Sequence, residues 1–308
     1  MSEIDRDYFT TQGGICIRYG IWHCAAGHVR GTVVLLHGRN EFLEKYLETI
    51  GDLNRKGFDV YSFDWRGQGL SQRLLPDRLK GHVENYACYL QDLDDFFTQI
   101  VPPDTVRPLV FLAHSMGAQI ALRFLHDHPG MVDSAILTAP LIDIKTGFYP
   151  RWLVKSLTWL ALRTGFTGAL VPEVKNRNSL KRTFEGNLLT SDPERFLVEK
   201  KAVTRNPTLA LGGLTFGWLA ATLTSTSFIM QTEYVEQIRT PIVIVNGGLD
   251  RVVSAEAQKA VCTRMPNCRL IVIDQARHEI LMESDRIRSE FWKIFNAFVD
   301  YTNKHSSR

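Results

Sequence analysis

Apolar residues in this chain follow two periods that take turns. Thr32 to Leu36 is a short, almost wholly apolar run, the pattern of a strand buried on both faces. Leu109–Ala113 reads as another buried strand, and Phe58–Phe63, Ala135–Thr138, Pro241–Val245 and Arg269–Ile273 read as further strands. Between them, Glu41–Lys56, Glu84–Ile100, Met116–His126, Ala255–Met265 and a last segment ending near Tyr301 carry apolar residues at helical spacing. Gly57 closes the first of these helices. Gly14–Trp22 alternates after a Gly13-Gly14 turn and reads as an early hairpin strand.

Strands that alternate with helices predict a mostly parallel sheet covered on both faces. The alternation stops at Asp143, where helices and loops run to Val235, and then resumes. The expected organisation is therefore a core domain of residues 1–142 and 236–308, with a helical insertion of residues 143–235 over one end of the sheet. In such sheets the chemistry sits outside the carboxyl ends of the strands.

Composition removes several function classes. With 308 residues, 44% hydrophobic and 22% charged, the chain can bury a full core without staples. A net charge of +3 is too mild to imply nucleic acid. The five cysteines (Cys16, Cys24, Cys88, Cys262, Cys268) form no CxxC pair, which predicts neither a disulfide framework nor a zinc site and fits a reducing compartment. Met1 to Asp7 is charged and lacks an apolar run, so no secretory signal is expected. Asn206–Thr232 is uncharged and long enough to span a bilayer. Its three glycines and polar run Thr222–Ser227 favour two short buried or pocket-facing helices instead.

The strand ends carry the candidate chemistry. Ala113-His114-Ser115-Met116-Gly117 places a serine between a buried strand and a helix, with small residues two positions to either side. This is the pattern of a nucleophile elbow. Asp250 follows the Pro241 strand and His278 follows the Arg269 strand, so the order Ser115, Asp250, His278 is the one an elbow fold requires. Serine is a weak nucleophile at neutral pH and needs an adjacent base. His278 would supply that base, and Asp250 would orient it and stabilise its cation. Asp143, after the Ala135 strand, is the rival acid. His37-Gly38-Arg39-Asn40-Glu41 follows the Thr32 strand, and Gly38 allows a turn that aims the Arg39 N–H at a reacting carbonyl. With the Met116 N–H it would form an oxyanion hole. Asp64-Trp65-Arg66-Gly67-Gln68-Gly69-Leu70-Ser71 lacks phosphate-loop spacing and reads as a turn bracing the elbow.

Together these residues resemble the α/β-hydrolase superfamily from about Gly14 to Tyr301. Within it, the chain is similar to the branch of bacterial lysophospholipases and monoacylglycerol lipases. The motifs that carry this are His37–Glu41, Asp64–Ser71, Gly81-His82-Val83, Ala113–Gly117 and Thr215-Phe216-Gly217-Trp218. Ala113 departs from the commoner glycine. The resemblance implies an α/β fold with an eight-stranded, mostly parallel sheet and a helical lid. It also implies a serine hydrolase of single-acyl lipid esters, triad roles for Ser115, Asp250 and His278, and oxyanion roles for Arg39 and Met116. Neither a cofactor nor a metal is implied. A small-ester carboxylesterase, a proline-releasing aminopeptidase and a binding module that has lost turnover remain alternatives. The absent signals and the resemblance together point to a cytoplasmic protein, peripheral to the inner membrane if it touches one.

Charge is unevenly placed. Residues 143–235 hold twelve lysines and arginines against seven acidic residues, a net of +5. Phe148–Leu162 is rich in apolar residues, with Arg151, Lys155 and Arg163 beside them. Three arrangements fit this pattern: a helix packed on its own domain, one facing an anionic membrane surface, or a mixture in which apolar residues line an acyl pocket and the cations face anionic lipid.

Overall fold

A computed structural model describes residues 5–25, 28–144, 150–172 and 183–306. Eight strands form one sheet: β1 (Asp5–Thr10), β2 (Cys16–Trp22), β3 (Gly31–Leu36), β4 (Phe58–Phe63), β5 (Leu109–His114), β6 (Ser134–Thr138), β7 (Ile242–Gly247) and β8 (Cys268–Ile273). The order across the sheet is β1-β2-β4-β3-β5-β6-β7-β8. β1 and β2 form an antiparallel hairpin and β2 lies antiparallel to β4, while every pairing from β4 to β8 is parallel. β1 had no sequence signal of its own, because its charged residues hide the alternation.

The period of two divides the buried strands between two cores. Val33 and Leu35 of β3, with Val110 and Leu112 of β5, face helices α1 (Leu47–Arg55) and α8 (Asp285–Ser306). Val34, Leu36, Phe111 and Ala113 face the other way, onto α2 (Tyr86–Gln99), α3 (Ser115–Asp127) and α7 (Ala255–Arg264). Helix α1 starts later than the pattern suggested, since a 3₁₀ turn occupies Leu43–Tyr46.

The insertion between β6 and β7 carries α4 (Arg151–Arg163), α5 (Pro193–Arg205) and α6 (Phe216–Met230). Among the described residues, its buried Val203, Leu209 and Ala210 cluster with Phe42 of the main domain. Trp218, Ala221 and Ile229 of α6 join the main core beside α2 and α3. The uncharged Asn206–Thr232 stretch becomes one short 3₁₀ turn, Pro207–Leu209, and this single helix. At ~1.5 Å per residue, 15 residues reach ~22 Å, short of the ~30 Å of a bilayer core. No helix among the described residues is long and apolar enough to cross a membrane.

One expectation is corrected. Cys262 and Cys268 are joined by a disulfide, whereas Cys16 and Cys88 are free thiols. The spacing alone concealed this pair. The chain reverses between the end of α7 and the start of β8, which brings the two Cα atoms to 5.3 Å.

Candidate active site

The change from β5 to α3 occurs within one residue, so the chain must turn sharply at Ser115. Its φ is +49°, in the left-handed region that a residue with a Cβ adopts only under strain. Two neighbours allow the turn. Ala113 is fully buried, and its methyl is accommodated. At Gly117 a Cβ would lie 2.5 Å from the carbonyl oxygens of Leu36 and His37, so glycine lets α3 approach β3. The strained turn lifts Ser115 off the sheet and points its hydroxyl toward the ends of β7 and β8.

His278 and Asp250 meet it there. Ser115 Oγ lies 3.1 Å from His278 Nε2, and His278 Nδ1 lies 2.8 Å from Asp250 Oδ2. With Nδ1 protonated, Nε2 is free to accept the serine proton. Asp250 Oδ1 accepts the N–H groups of Val252 and Val253 at 2.7 and 3.2 Å. Burial opposes ionisation of Asp250. The His278 bond and charge, followed by these two N–H groups, outweigh it and hold the carboxyl below its ordinary pKa. Asp250 thus stays ionised beside the imidazole, as a base-orienting acid must. The rival acid, Asp143, accepts Arg151 Nη2 at 2.7 Å and does not bond His278.

Arg39 and Met116 lie on the two segments flanking the serine. Met116 is the second residue of α3 and is fully buried. Gln68 connects the segments: its Oε1 accepts the Asn40 N–H at 2.5 Å and its Nε2 contacts Met116 Sδ at 3.7 Å. The Asp64–Ser71 turn therefore braces the His37–Glu41 segment as well as the start of α3. The Arg39 guanidinium reaches the insertion, donating to the Gly212 carbonyl at 3.0 Å and lying over the Trp218 ring.

Sequence reasoning missed a buried polar cluster beside Ser115, His278 and Asp250. His114, the residue before Ser115, has its ring 4.9 Å from that of His278. Burial pushes its pKa down to about 4, against the pull of Glu41. Glu41, Lys45 and Glu279 form a chain of ion pairs next to it. Glu41 lay inside a motif read for Gly38 and Arg39, and Glu279 directly follows His278. The spacing of Glu41 and Lys45, four residues apart in an apolar setting, was the available signal. Among the described residues no cluster of His, Cys, Asp and Glu could hold a metal ion.

The insertion's α4 leaves its apolar residues in the open. Trp152 is 68% exposed and Trp159 58%, and Leu157, Leu160 and Leu162 are exposed as well, while only Thr158 and Ala161 of the helix are buried. Phe148 and Tyr149, read as part of the same stretch, lie outside the described residues.

Comparison with known proteins agrees with this architecture. Residues 27–285 match the family described as Serine aminopeptidase, S33. Lysophospholipase L2 of Escherichia coli (strain K12) is 32% identical over 98% of this chain and 88% of its own length. A probable lysophospholipase L2 of Haemophilus influenzae is 28% identical over 88% of this chain and 84% of its own. Among solved structures, a soluble variant of monoglyceride lipase from Saccharomyces cerevisiae superposes with a TM-score of 0.76 at 21% identity, covering 99% of this chain and 97% of that one. The chain belongs to the serine aminopeptidase S33 family of α/β-hydrolases, on its lysophospholipase and monoglyceride lipase branch, and is an ester hydrolase.

Proposed function

We propose that this enzyme cleaves the ester of single-acyl lipids, a lysophospholipid or a monoacylglycerol, through an acyl-enzyme on Ser115. The observation that carries the mechanism is the unbroken line Ser115–His278–Asp250 at 3.1 and 2.8 Å. Ser115 Oγ attacks the ester carbonyl carbon as His278 Nε2 takes its proton. The carbonyl oxygen becomes an oxyanion facing the Arg39 and Met116 N–H groups, each worth ~3–4 kcal/mol if such donors behave as elsewhere. The C–O bond to the glycerol moiety then breaks, and His278 returns the proton to the leaving alkoxide. Water, deprotonated by His278, attacks the acyl-enzyme. The second oxyanion collapses, releasing the fatty acid and restoring Ser115. No step needs a cofactor.

The lipid substrate is supported by the relatives' names and by the exposed α4. Tryptophans, leucines and the cations Arg151, Lys155 and Arg163 on one short helix suit the boundary between headgroups and acyl chains. We read α4 as the contact with an anionic membrane surface, peripheral and reversible, with residues 143–235 acting as a lid. An uncharged α6 beneath it offers apolar wall for an acyl chain.

The test is hydrolysis of a panel by the wild type and by Ser115→Ala. It holds short and long p-nitrophenyl esters, monoacylglycerol, lysophosphatidylcholine, lysophosphatidylglycerol and proline β-naphthylamide. Release of long-chain fatty acid that vanishes in Ser115→Ala is the expected result. Turnover of the amide or short esters alone would keep the triad and move the substrate. Normal activity in Ser115→Ala would remove the mechanism.

A further inference from the structure

The segment that presents the Arg39 N–H is gripped from both sides. Gly38 C=O and Arg39 N–H belong to one trans peptide unit and point in opposite directions. The carbonyl is held by His37 Nδ1, 2.7 Å away. Burial keeps His37 neutral by lowering its pKa, against the pull of Asp64, and the Trp65 N–H approaches its Nε2. Nδ1 is therefore the donor. The preceding N–H, that of Gly38, donates to Glu41 Oε2 at 2.5 Å. The Tyr46 hydroxyl donates to the same oxygen at 2.7 Å.

Glu41 is in turn tied to the base. Lys45 Nζ lies 2.7 Å from Glu41 Oε1 and 2.7 Å from Glu279 Oε1, and Glu279 is the residue after His278. All three side chains are at most 10% exposed. Burial opposes ionisation of Glu41, yet Lys45, then His114, hold its pKa far below the ordinary value. Such a buried ion chain is an expensive way to join two loops, since apolar residues of like volume commonly do so at lower cost. Its geometry supplies what apolar packing does not: one acceptor aimed at Gly38 N–H and one rigid link to the His278 loop. The site also leaves no slack, because a Cβ at Gly38 would lie 2.8 Å from Glu41 Oε2 and 3.3 Å from Ser115 Cβ.

We infer that Glu41 is a positioning residue for the reaction. Through Gly38 it sets the direction of the Arg39 N–H, and through Lys45 and Glu279 it fixes that donor relative to His278. The inference rests on the proposed acyl-enzyme mechanism. Its contribution appears only when the oxyanion forms, so loss of Glu41 lowers kcat and leaves substrate binding nearly intact.

The experiment uses the full chain and its best ester substrate. It compares wild type, Ser115→Ala, Glu41→Gln, Glu41→Ala and Tyr46→Phe. Each is also titrated with a long-chain alkyl trifluoromethyl ketone, whose serine adduct places an oxyanion in the hole. Glu41→Gln keeps an acceptor for Gly38 and should lose ~10-fold in kcat, and Glu41→Ala ~100-fold, approaching the loss of a whole donor. KM should stay within about twofold, and ketone affinity should fall in step with kcat/KM. If the Glu41 variants do not fold, Tyr46→Phe decides: it removes one hydroxyl and should lose ~3-fold in kcat and ketone affinity together. Unchanged kcat and ketone affinity in folded variants would overturn the inference. So would a loss confined to KM, or a fall in kcat with ketone affinity unaltered. Wild-type turnover that persists in Ser115→Ala would instead remove the mechanism itself, and the inference with it.

Discussion

Asp250 divides its carboxylate between two duties: Oδ2 meets His278 Nδ1 at 2.8 Å, and Oδ1 is pinned by the Val252 N–H at 2.7 Å. The second contact keeps the carboxylate from rotating, so the imidazole has one orientation. Asp250→Asn should lower kcat by ~10³–10⁴-fold, because an amide nitrogen facing Nδ1 favours the tautomer whose Nε2 cannot accept the serine proton. KM should change little. Asp250's pKa is depressed in the folded state, so its stabilising effect is present above the unfolded value of ~3.9 and is lost as pH falls through the folded value. Urea titrations of wild type and Asp250→Asn should differ at pH 7 and converge toward pH 2. Equal acid sensitivity of the two would contradict the assignment of the ionised carboxylate to this bond.

His114 makes the opposite kind of prediction. It is fully enclosed, bonded to Thr138 Oγ1 at 3.1 Å, and burial lowers its pKa to about 4. An unfolded histidine titrates near ~6.5, so between those values the unfolded state holds the extra proton and stability falls as pH falls. That contribution is on the order of 2 kcal/mol between pH 7 and 4.5. His114→Asn cannot titrate. Its loss of stability over that interval, read from denaturant midpoints, should be smaller than the wild type's. His37, also buried with a lowered pKa, shares the effect, so the acid sensitivity is reduced and not abolished.

Most of the scaffold was legible because fully buried parallel strands announce themselves as apolar runs. β3, β5 and β7 are buried at every position. β1 was not legible: its partner Cys16–Trp22 alternates, but Asp5, Arg6 and Asp7 break the pattern. The residues Ser115, Asp250 and His278 could be placed from their position after strands, and the structure brings them together. The Glu41–Lys45–Glu279 chain could not, since Glu279 is 234 positions from Lys45 and nothing local says that two loops converge. The Cys262–Cys268 pair failed for a related reason, a chain reversal that spacing does not encode. The exposure of α4 was undecidable from sequence, because an amphipathic stripe looks the same whether it covers its own core or faces outward.

Gly117 tests the elbow from its far side. A methyl there would meet two backbone carbonyl oxygens at 2.5 Å, which cannot rotate away as a side chain can. Gly117→Ala should therefore push α3 from β3 and cost ~1–3 kcal/mol by overpacking. The displaced helix carries both Ser115 and Met116, so activity should fall by more than the folded fraction does. Thermal midpoint and kcat, measured on the same preparation, separate the two effects. A stable, fully active Gly117→Ala would show that the α3–β3 contact is looser than these distances.

The exposed face of α4 gives the prediction that bears on location. Trp152 and Trp159 are both more than half exposed, and the Arg163 guanidinium lies over the Trp159 ring at 5.5 Å. Replacing both tryptophans with serine should change folding stability by no more than ~0.5 kcal/mol each, as for ordinary surface positions. If α4 meets a bilayer, the same double variant should lose most of its affinity for vesicles containing phosphatidylglycerol, because indole rings supply the interfacial anchoring. Lys155→Glu should weaken binding to these vesicles but not to neutral phosphatidylcholine ones, with an effect of ~1 kcal/mol that shrinks as salt rises. Vesicle sedimentation at low and high salt reads both outcomes. Full vesicle binding by the double tryptophan variant would place the membrane contact elsewhere and leave the open apolar face of α4 to another role.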